Sequence, residues 1–173
     1  ATATIVAMHA PANTRILACG SGADLVSAVA EVAAGQLLAG ADLERAIAAA
    51  DAPPCRHAFV RRFDAMARAA ARAVDAARVV GAPVPPLAGL AVSVKDLFDV
   101  AGVPSTAASK SMADAAPADV DSPVVARLRH AGAALIGHTN LTEFAFSGVG
   151  INPHHGTPAN AATLALDATP RIP

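Results

Sequence analysis

The sequence predicts an α/β fold, in which helices of the first half precede a strand–helix–strand unit of the second half. Two short apolar runs of strand type begin at Leu90 and Ala134, and a helical segment separates them. Parallel strands need such a crossover connection, which is usually a helix. In the first half, apolar residues recur three and four positions apart, which is the spacing of an amphipathic helix. The 173 residues suffice for one domain with a sizeable core.

Three helices are predicted before residue 82. Ser21–Asp24 has the form of a capping box, so the first helix begins there, and Gly40 ends it. A short second helix covers Asp42–Asp51 and closes at two prolines. The third helix runs from about Arg56 to Val80. Its apolar line proceeds in steps of three and four through Phe59, Phe63, Met66, Ala70, Val74 and Ala77.

The residue pattern changes from helical periodicity to short apolar runs after a Gly- and Pro-containing break at 81–86. Residues 90–94 predict a buried strand. A Ser-Pro pair predicts the N-cap and first position of a helix over 122–131. Residues 134–139 predict a second buried strand, and the stretch 147–173 has the Gly-, Pro- and Asn-rich composition of a loop. Strand, helix and strand together predict a βαβ-like unit.

Composition excludes several classes of function. The net charge of −1 and the absence of Trp and Tyr argue against a nucleic-acid partner. A membrane span needs about 20 uninterrupted apolar residues, and the sequence lacks such a stretch. The N-terminus lacks a basic segment followed by an apolar run, so a signal peptide is not predicted. Cys19 and Cys55 are expected to be free thiols of a cytoplasmic protein.

The chain contains only two lysines, Lys95 and Lys110, among its 13 basic residues. Lys95 ends a short apolar strand, and α/β sheets present functional groups at that edge. Burial disfavours the charged form of an amine, and a neutral lysine serves as a general base or a Schiff-base nucleophile. The alternative is a lysine that reaches solvent or pairs with Asp96 or Asp99.

Two other motifs give little support for a metal site or a dinucleotide site. His154 and His155 are adjacent, so in extended chain they point to opposite sides, and no third ligand has a recognisable spacing. Gly148-Val-Gly150 resembles the start of a dinucleotide fingerprint but continues as Ile-Asn-Pro. We therefore expect neither a metal nor an organic cofactor.

Four segments together resemble the amidase signature family. The segment Pro86–Thr106, PLAGLAVSVKDLFDVAGVPST, resembles the family's lysine-bearing segment. Residues 128–140, 142–148 and 151–158 match the next segments of that family in the same order. The resemblance covers about residues 84–160, with the difference that His138 stands where many members carry Lys.

This resemblance implies a mixed β-sheet flanked by helices, the amidase signature fold, which is incomplete in this chain. The chain would be a single incomplete domain over 1–173. Residues 1–82 would form an N-terminal helical layer. Residues 83–173 would supply the first strands, the crossover helix and the substrate loops.

The resemblance also implies an amidase that cleaves carboxamide bonds with a Ser–cis-Ser–Lys triad and no cofactor. Lys95 would be the catalytic base, and Ser147 and Gly148 would bind the substrate. Both catalytic serines are missing, because the sequence reaches Pro173 where the family's Gly-Gly-Ser-Ser-Gly run is expected. We therefore expect this chain alone to be inactive and the intact protein to hydrolyse a small-molecule amide.

Three alternatives stay open. The first is an amidotransferase subunit that acts on aminoacyl-tRNA with partner subunits, which would bring in a nucleic acid. The second is a truncated, inactive amidase-like fragment. The third is a Schiff-base enzyme of the aldolase or pyridoxal phosphate type, although the sequence shows no phosphate cup. A homodimer is compatible with each of them.

Overall fold

The computed structural model describes residues 24–160 of the chain, and they form one three-stranded sheet with helices on both faces. The helices are α1 (Leu25–Ala34), α2 (Ala39–Asp51), α3 (Asp64–Val79) and α4 (Pro123–His130). The strands are β1 (Phe59–Arg62), β2 (Ala91–Lys95) and β3 (Ala134–Thr139). The strand order is β1-β3-β2, with β2 parallel and β1 antiparallel to β3. The predicted fold, a mixed sheet flanked by helices, is confirmed.

Both faces of the sheet are buried, because successive residues of a strand point to opposite sides. In β3, Ala134 and Ile136 pack against residues of α2 and α3, and Leu135 between them packs against residues of α4. Of these three residues, none is more than 2% exposed. The strands therefore read as continuous apolar runs, as expected for a sheet that is covered on both faces.

The predicted strand–helix–strand unit is present as β2, α4 and β3. Helix α4 begins at Pro123, whose missing N–H costs nothing at the first helical position. Ser122 occupies the N-cap position as expected, but its hydroxyl makes no capping hydrogen bond. After α4, Gly132 turns the chain into β3 with a φ of +90°, a conformation that glycine adopts without strain.

The prediction of one helix from Arg56 to Val80 was wrong at its start. Residues Phe59–Arg62 form β1, and α3 begins at Asp64. Phe59 and Phe63 are four apart and fit a helical line, yet the segment is short enough to suit either structure. Pairing with β3 stabilises the strand, and Gly137 of β3 has no side chain that would obstruct this pairing. A Cβ at Gly137 would lie 2.4 Å from the carbonyl oxygen of Arg61.

The boundaries of the first two helices also differ from the prediction. Asp24 is the N-cap of α1 and accepts a hydrogen bond from the backbone N–H of Ser27 at 3.0 Å, while Ser21 lies outside the described residues. Gly35, not Gly40, ends α1 in a left-handed conformation. Gly40 lies in the first turn of α2, because a carboxylate from another helix caps that turn.

That carboxylate belongs to Asp75 of α3. Its two oxygens accept hydrogen bonds from the backbone N–H groups of Ala39 and Gly40, each at 2.9 Å. Helix N-termini leave such donors without intrahelical partners and favour negative charge beside them. The start of α2 is therefore set by a residue 36 positions away in the chain.

We expect the substitution Gly137→Ala to lower the free energy of unfolding by about 1–3 kcal/mol. The new Cβ would lie 2.8 Å from Cδ1 of Phe59 as well as against the Arg61 backbone, so β1 would have to shift. Urea unfolding followed by circular dichroism measures the change. Gly148→Ala is the matched control, because a Cβ there meets no atom within 4 Å. Equal stability of the two variants would contradict the role assigned to Gly137.

Candidate active site

Lys95 is the last residue of β2, at the edge of the sheet where the two parallel strands end together. It is paired in register with Thr139, the last residue of β3. Ser93 lies two residues earlier in β2, so its side chain shares the face of the sheet that carries Lys95. Side chains of Ser93, Lys95 and Thr139 line one cavity at this edge.

The cavity has a volume of about 540 Å³ and is walled by the strand ends and by the loop that follows β3. It brings together all three residues that the sequence analysis assigned to the site, namely Lys95, Ser147 and Gly148. The lining residues are Ala58, Phe59, Ser93, Lys95, Thr139, Asn140, Leu141, Thr142, Ala145, Phe146, Ser147, Gly148, Gly150 and Pro158. Hydroxyl groups and apolar side chains therefore surround the lysine.

The side-chain amine of Lys95 makes no hydrogen bond or ion pair within residues 24–160, and the side chain is partly buried. The two neighbouring carboxylates, which were the alternative partners, are bonded elsewhere. Asp99 accepts a hydrogen bond from the Ser105 hydroxyl at 2.8 Å. Asp96 points away into the protein. The amine thus faces the cavity without a counter-charge from the described residues.

Asp96 is 1% exposed and organises the loop that follows β2. Its carboxylate accepts hydrogen bonds from the backbone N–H groups of Thr106 at 3.0 Å and Ala108 at 2.9 Å. The Thr106 hydroxyl donates a further, short hydrogen bond to the same carboxylate. A buried carboxylate is stable only when donors of this kind replace its water. These bonds close the loop from Asp96 back onto the end of β2.

The pKa of Asp96 reflects two opposing effects. Burial by itself would raise the pKa. The adjacent His138 ring and the hydrogen bonds from Thr106 and the backbone of Ala108 stabilise the charged form more strongly, and they lower the pKa from 3.8 to about 2. Asp96 is therefore a carboxylate over the whole physiological range of pH. Its negative charge lies one residue from Lys95 along the chain but is stabilised by hydrogen-bond donors in the protein interior.

His138 of β3 completes the surroundings of Asp96. Its Nδ1 atom lies 3.0 Å from a carboxylate oxygen of Asp96, in a bent approach, and its Nε2 atom lies 3.1 Å from the carbonyl oxygen of Phe98. The ring is 1% exposed and packs edge-on against Phe63, with 4.9 Å between centroids. Sequence analysis noted His138 as a departure from the family and missed this pairing, because Asp96 and His138 are distant in the chain.

Two asparagines hold the loops around the cavity. Asn152 is 1% exposed, and its amide group donates to the carbonyl oxygens of Ala108 at 2.9 Å and Leu141 at 2.8 Å. Asn140 donates in the same way to the carbonyl oxygens of His57 at 3.0 Å and Gly156 at 2.7 Å. Sequence analysis assigned no role to either residue, although an Asn-Pro pair at 152 signals a turn.

Five described non-glycine residues have positive φ angles: His57 at 66°, and Ala107, Ala108, Phe144 and Ala145 at 49–55°. The last four form two pairs in the loops near the cavity. The two pairs are joined, because the Phe144 N–H donates to the Ala107 carbonyl oxygen at 3.0 Å. Such conformations cost roughly 1–2 kcal/mol per residue and persist only where surrounding contacts enforce them. Backbone strain of this kind gathers at functional sites, and here it lies beside the cavity.

His154 and His155, considered above as a metal pair, stabilise their own loop through backbone hydrogen bonds. Their N–H groups donate to the Asn152 side-chain oxygen at 2.8 and 3.0 Å. Nε2 of His154 lies 3.4 Å from Glu143, whose pKa is lowered mainly by a hydrogen bond from Ser109. Between residues 24 and 160, no cluster of three or more His, Cys, Asp or Glu side chains is placed to hold a metal ion. Nor does any helix of that part combine the length and apolarity needed to cross a bilayer.

Comparison with known proteins places this site in a family. The family model named Amidase matches residues 43–168 of the chain. The chain belongs to the amidase signature family. Its matched segment includes every described residue that lines the cavity and the whole Asp96 network.

One curated relative of this amidase signature chain is the AtzE component of 1-carboxybiuret hydrolase from Pseudomonas sp. (strain ADP). It is 44% identical over 104 residues, which are 60% of this chain and 23% of the relative. A glutamyl-tRNA(Gln) amidotransferase component from Salinispora tropica is 49% identical over 89 residues, 51% of this chain and 18% of the relative. The aligned segment thus spans about a quarter of the length of these relatives or less.

A solved structure gives the same result for the fold. It is described as an unexpected vestigial protein complex that reveals the evolutionary origins of an s-triazine catabolic enzyme. The two structures superpose with a TM-score of 0.79 at 37% sequence identity, over 87% of this chain and 32% of the other. The described sheet and loops are therefore those of one part of a larger amidase signature fold.

We expect Asp96→Asn to lower the free energy of unfolding by roughly 3–5 kcal/mol at pH 7, because the donors around the carboxylate lose their charged acceptor. The pKa of Asp96 is lowered on folding, so its contribution is complete above about pH 4 and is lost as the pH falls toward about 2. The difference between the two proteins should therefore shrink by about 2–3 kcal/mol across this interval. Urea unfolding at several pH values measures it.

The exposed neighbour provides the control for this experiment. Asp99→Asn removes a carboxylate three residues away whose one described contact is the Ser105 hydroxyl, and we expect a change below about 0.5 kcal/mol at every pH. A destabilisation by Asp96→Asn that stays constant from pH 7 to pH 2 would contradict the assignment of the charge to this network.

Proposed function

We propose that the chain is the base-bearing part of an amide hydrolase that acts on a carboxamide through a serine acyl-enzyme. Lys95 is the base, and two catalytic serines are supplied from beyond residue 173. The observation that carries this proposal is the position of Lys95. Its amine is partly buried at a strand end, faces a cavity of about 540 Å³ and has no counter-ion among the described residues.

The chemistry explains why such an amine is needed. A serine hydroxyl is a weak nucleophile and attacks an amide carbonyl only when an adjacent group accepts its proton. A lysine accepts that proton only in its neutral form. In the proposed reaction a bridging serine passes the proton from the attacking serine to Lys95. The proton later moves to the leaving amine.

The loop that follows β3 would contact the substrate in this proposal. Ser147 and Gly148 lie on the cavity wall, and the Ser147 hydroxyl already accepts a hydrogen bond from the N–H of Val149 at 3.3 Å. This bond leaves the hydroxyl proton available for an acceptor such as the substrate carbonyl. The names of the relatives, which include a hydrolase of 1-carboxybiuret, fit amide chemistry.

A second candidate is an amidotransferase subunit that acts on aminoacyl-tRNA. The 49% identity to a glutamyl-tRNA(Gln) amidotransferase component supports it. Such a subunit would release ammonia for use by a partner. An assay of simple amides with purified protein that contains both serines distinguishes the two candidates. Only the hydrolase is expected to turn these amides over without added partner chains. A third candidate, a truncated and inactive fragment, predicts that a fluorophosphonate probe labels no serine of that protein.

We expect Lys95→Met to reduce amide hydrolysis by about 10²–10⁴-fold in a polypeptide that joins this chain to its catalytic serines. Methionine keeps the length of the side chain and removes the proton acceptor. Release of aniline from an aryl amide measures the rate. Lys110→Met is the matched control, because Lys110 is the other lysine of the chain, is exposed and lies outside the cavity. Equal losses in the two variants would remove Lys95 from the proposed role.

We also expect no turnover by a preparation whose intact mass corresponds to residues 1–173 alone, because the chain lacks the nucleophile that the mechanism needs. The same aryl amide assay applies. Measurable hydrolysis by that preparation would falsify the assignment of the nucleophile to a serine beyond residue 173.

A further inference from the structure

The segment 142–150, which follows β3, forms a large part of the cavity wall. Six of the described lining residues belong to it: Thr142, Ala145, Phe146, Ser147, Gly148 and Gly150. Residues 144–149 are all exposed, and the two apolar cores of the described residues include none of the segment. Apolar burial therefore does not fix the position of this segment, and its polar contacts have to do so.

Glu143 makes the polar side-chain contacts that join this segment to other loops. The Thr142 hydroxyl is buried without a hydrogen-bond partner among the described residues, and the Ser147 hydroxyl bonds only to Val149 within the segment. The carboxylate of Glu143, in contrast, accepts a short hydrogen bond from the hydroxyl of Ser109. Ser109 is 34 positions earlier in the chain and 2% exposed.

The donor of this bond is itself held in place. The Ser109 Oγ atom accepts a hydrogen bond from the Ser111 N–H at 3.1 Å and lies 2.8 Å from the Ser111 hydroxyl. The Ser109 N–H donates to the carbonyl oxygen of Thr106 at 2.9 Å, in the turn that surrounds Asp96. Glu143 is thus attached to the turn that follows β2, which the buried carboxylate of Asp96 organises.

The bond between Ser109 and Glu143 also lies between the two strained pairs of residues described above. One pair directly precedes Ser109, and the other directly follows Glu143. Strained backbone persists only where the surrounding contacts enforce it. Here the contacts are the backbone bond from Phe144 to Ala107 at 3.0 Å and the bond to the Glu143 carboxylate, which is of the stronger, charge-assisted kind. The two bonds together give the loops one relative position.

His154 is the other neighbour of the Glu143 carboxylate. Its Nε2 atom lies 3.4 Å from Oε1, which is longer than the usual N–H···O distance. The pKa of Glu143 is lowered mainly by the hydrogen bond from Ser109, with burial acting in the opposite direction. Ser109 is therefore the principal partner of Glu143.

We propose that Glu143 is a positioning residue of the proposed hydrolase. Through its bond to Ser109 it holds the segment 142–150, and with it Ser147, where the substrate amide binds. The proposal rests on the proposed function for the substrate, and Glu143 itself does not line the cavity. Lys95 belongs to β2, outside the segment. Loss of the Glu143 carboxylate should therefore weaken substrate binding and leave the base in place.

Steady-state kinetics on the polypeptide that carries both catalytic serines test this role. We expect Glu143→Ala to raise the KM for an aryl amide by about five- to twentyfold. The kcat should stay within about twofold, because the lost contacts bind ground state and transition state alike. Glu143→Gln keeps an oxygen acceptor for the Ser109 hydroxyl and should return the KM to within about threefold of the original. An unchanged KM, a loss confined to kcat, or no rescue by glutamine would overturn the proposal.

The partner residue and a matched carboxylate complete the kinetic test. Ser109→Ala should raise the KM as Glu143→Ala does, and the double variant should be no worse than either single variant, because both remove one bond. Asp99→Ala is the control. Its carboxylate also accepts from a serine hydroxyl, that of Ser105 at 2.8 Å, but Asp99 does not line the cavity, and its KM should stay within about twofold. Additive effects of the two changes, or an equal effect of Asp99→Ala, would contradict the proposal.

Hydrogen exchange tests the position of the segment without any need for turnover. In the same polypeptide, Glu143→Ala should speed deuterium uptake by peptides that cover 142–150 by at least about tenfold, while peptides from β2 and β3 keep their rates. Unchanged uptake over 142–150, or faster uptake throughout the sheet, would overturn the proposal.

The two measurements separate the positioning role from the hydrolase activity. If the original polypeptide hydrolyses no amide while Glu143→Ala speeds exchange in the segment alone, the proposed activity fails and the role of Glu143 in holding the cavity wall stands. If amides are hydrolysed with the same KM by both proteins, the positioning role fails and the activity stands.

Discussion

The carboxylate of Asp96, buried directly after the end of β2, is the interaction on which the rest of the site depends. Removing a charge from water costs several kcal/mol unless donors surround it. Here the donors belong to the turn at 106–108, and the ring of His138 lies 3.0 Å from the carboxylate. The turn and the carboxylate stabilise each other, because the N–H groups of Thr106 and Ala108 donate to the carboxylate oxygens. Lys95, the preceding residue, is thereby held at the sheet edge with its amine toward the cavity.

The same turn also forms hydrogen bonds with the other loops. The carbonyl oxygen of Ala107 accepts from Phe144, and that of Ala108 accepts from the side chain of Asn152. These two bonds attach the loop after β3 and the 152–156 loop to one short segment. The left-handed backbone at Ala107 and Ala108 has a conformational cost that the network offsets. The two loops that surround the cavity are thus supported from a single turn.

Local patterns in the sequence predicted the parts of the fold that depend on neighbouring residues. The strands at 90–94 and 134–139 and the Ser-Pro start of α4 were identified because periodicity and capping act within a few positions. The position of Lys95 at a strand end followed from the same patterns. Its companions Ser147 and Gly148 came from resemblance to a family, and the structure places all three on one cavity.

The sequence by itself determined the α/β class, the family and the strand that carries Lys95, since these are written in short, ordered motifs. Only the tertiary structure decided that Phe59–Arg62 is a strand, that Asp75 begins α2 and that Asp96 and His138 share the interior. Each of these depends on a partner 36 or more positions away in the chain. The strand needs a glycine in β3 that has no side chain, the start of α2 needs the carboxylate that caps it, and the buried carboxylate lies beside an imidazole ring. Such pairings leave no periodic signal in the chain, because they are determined by distance in space.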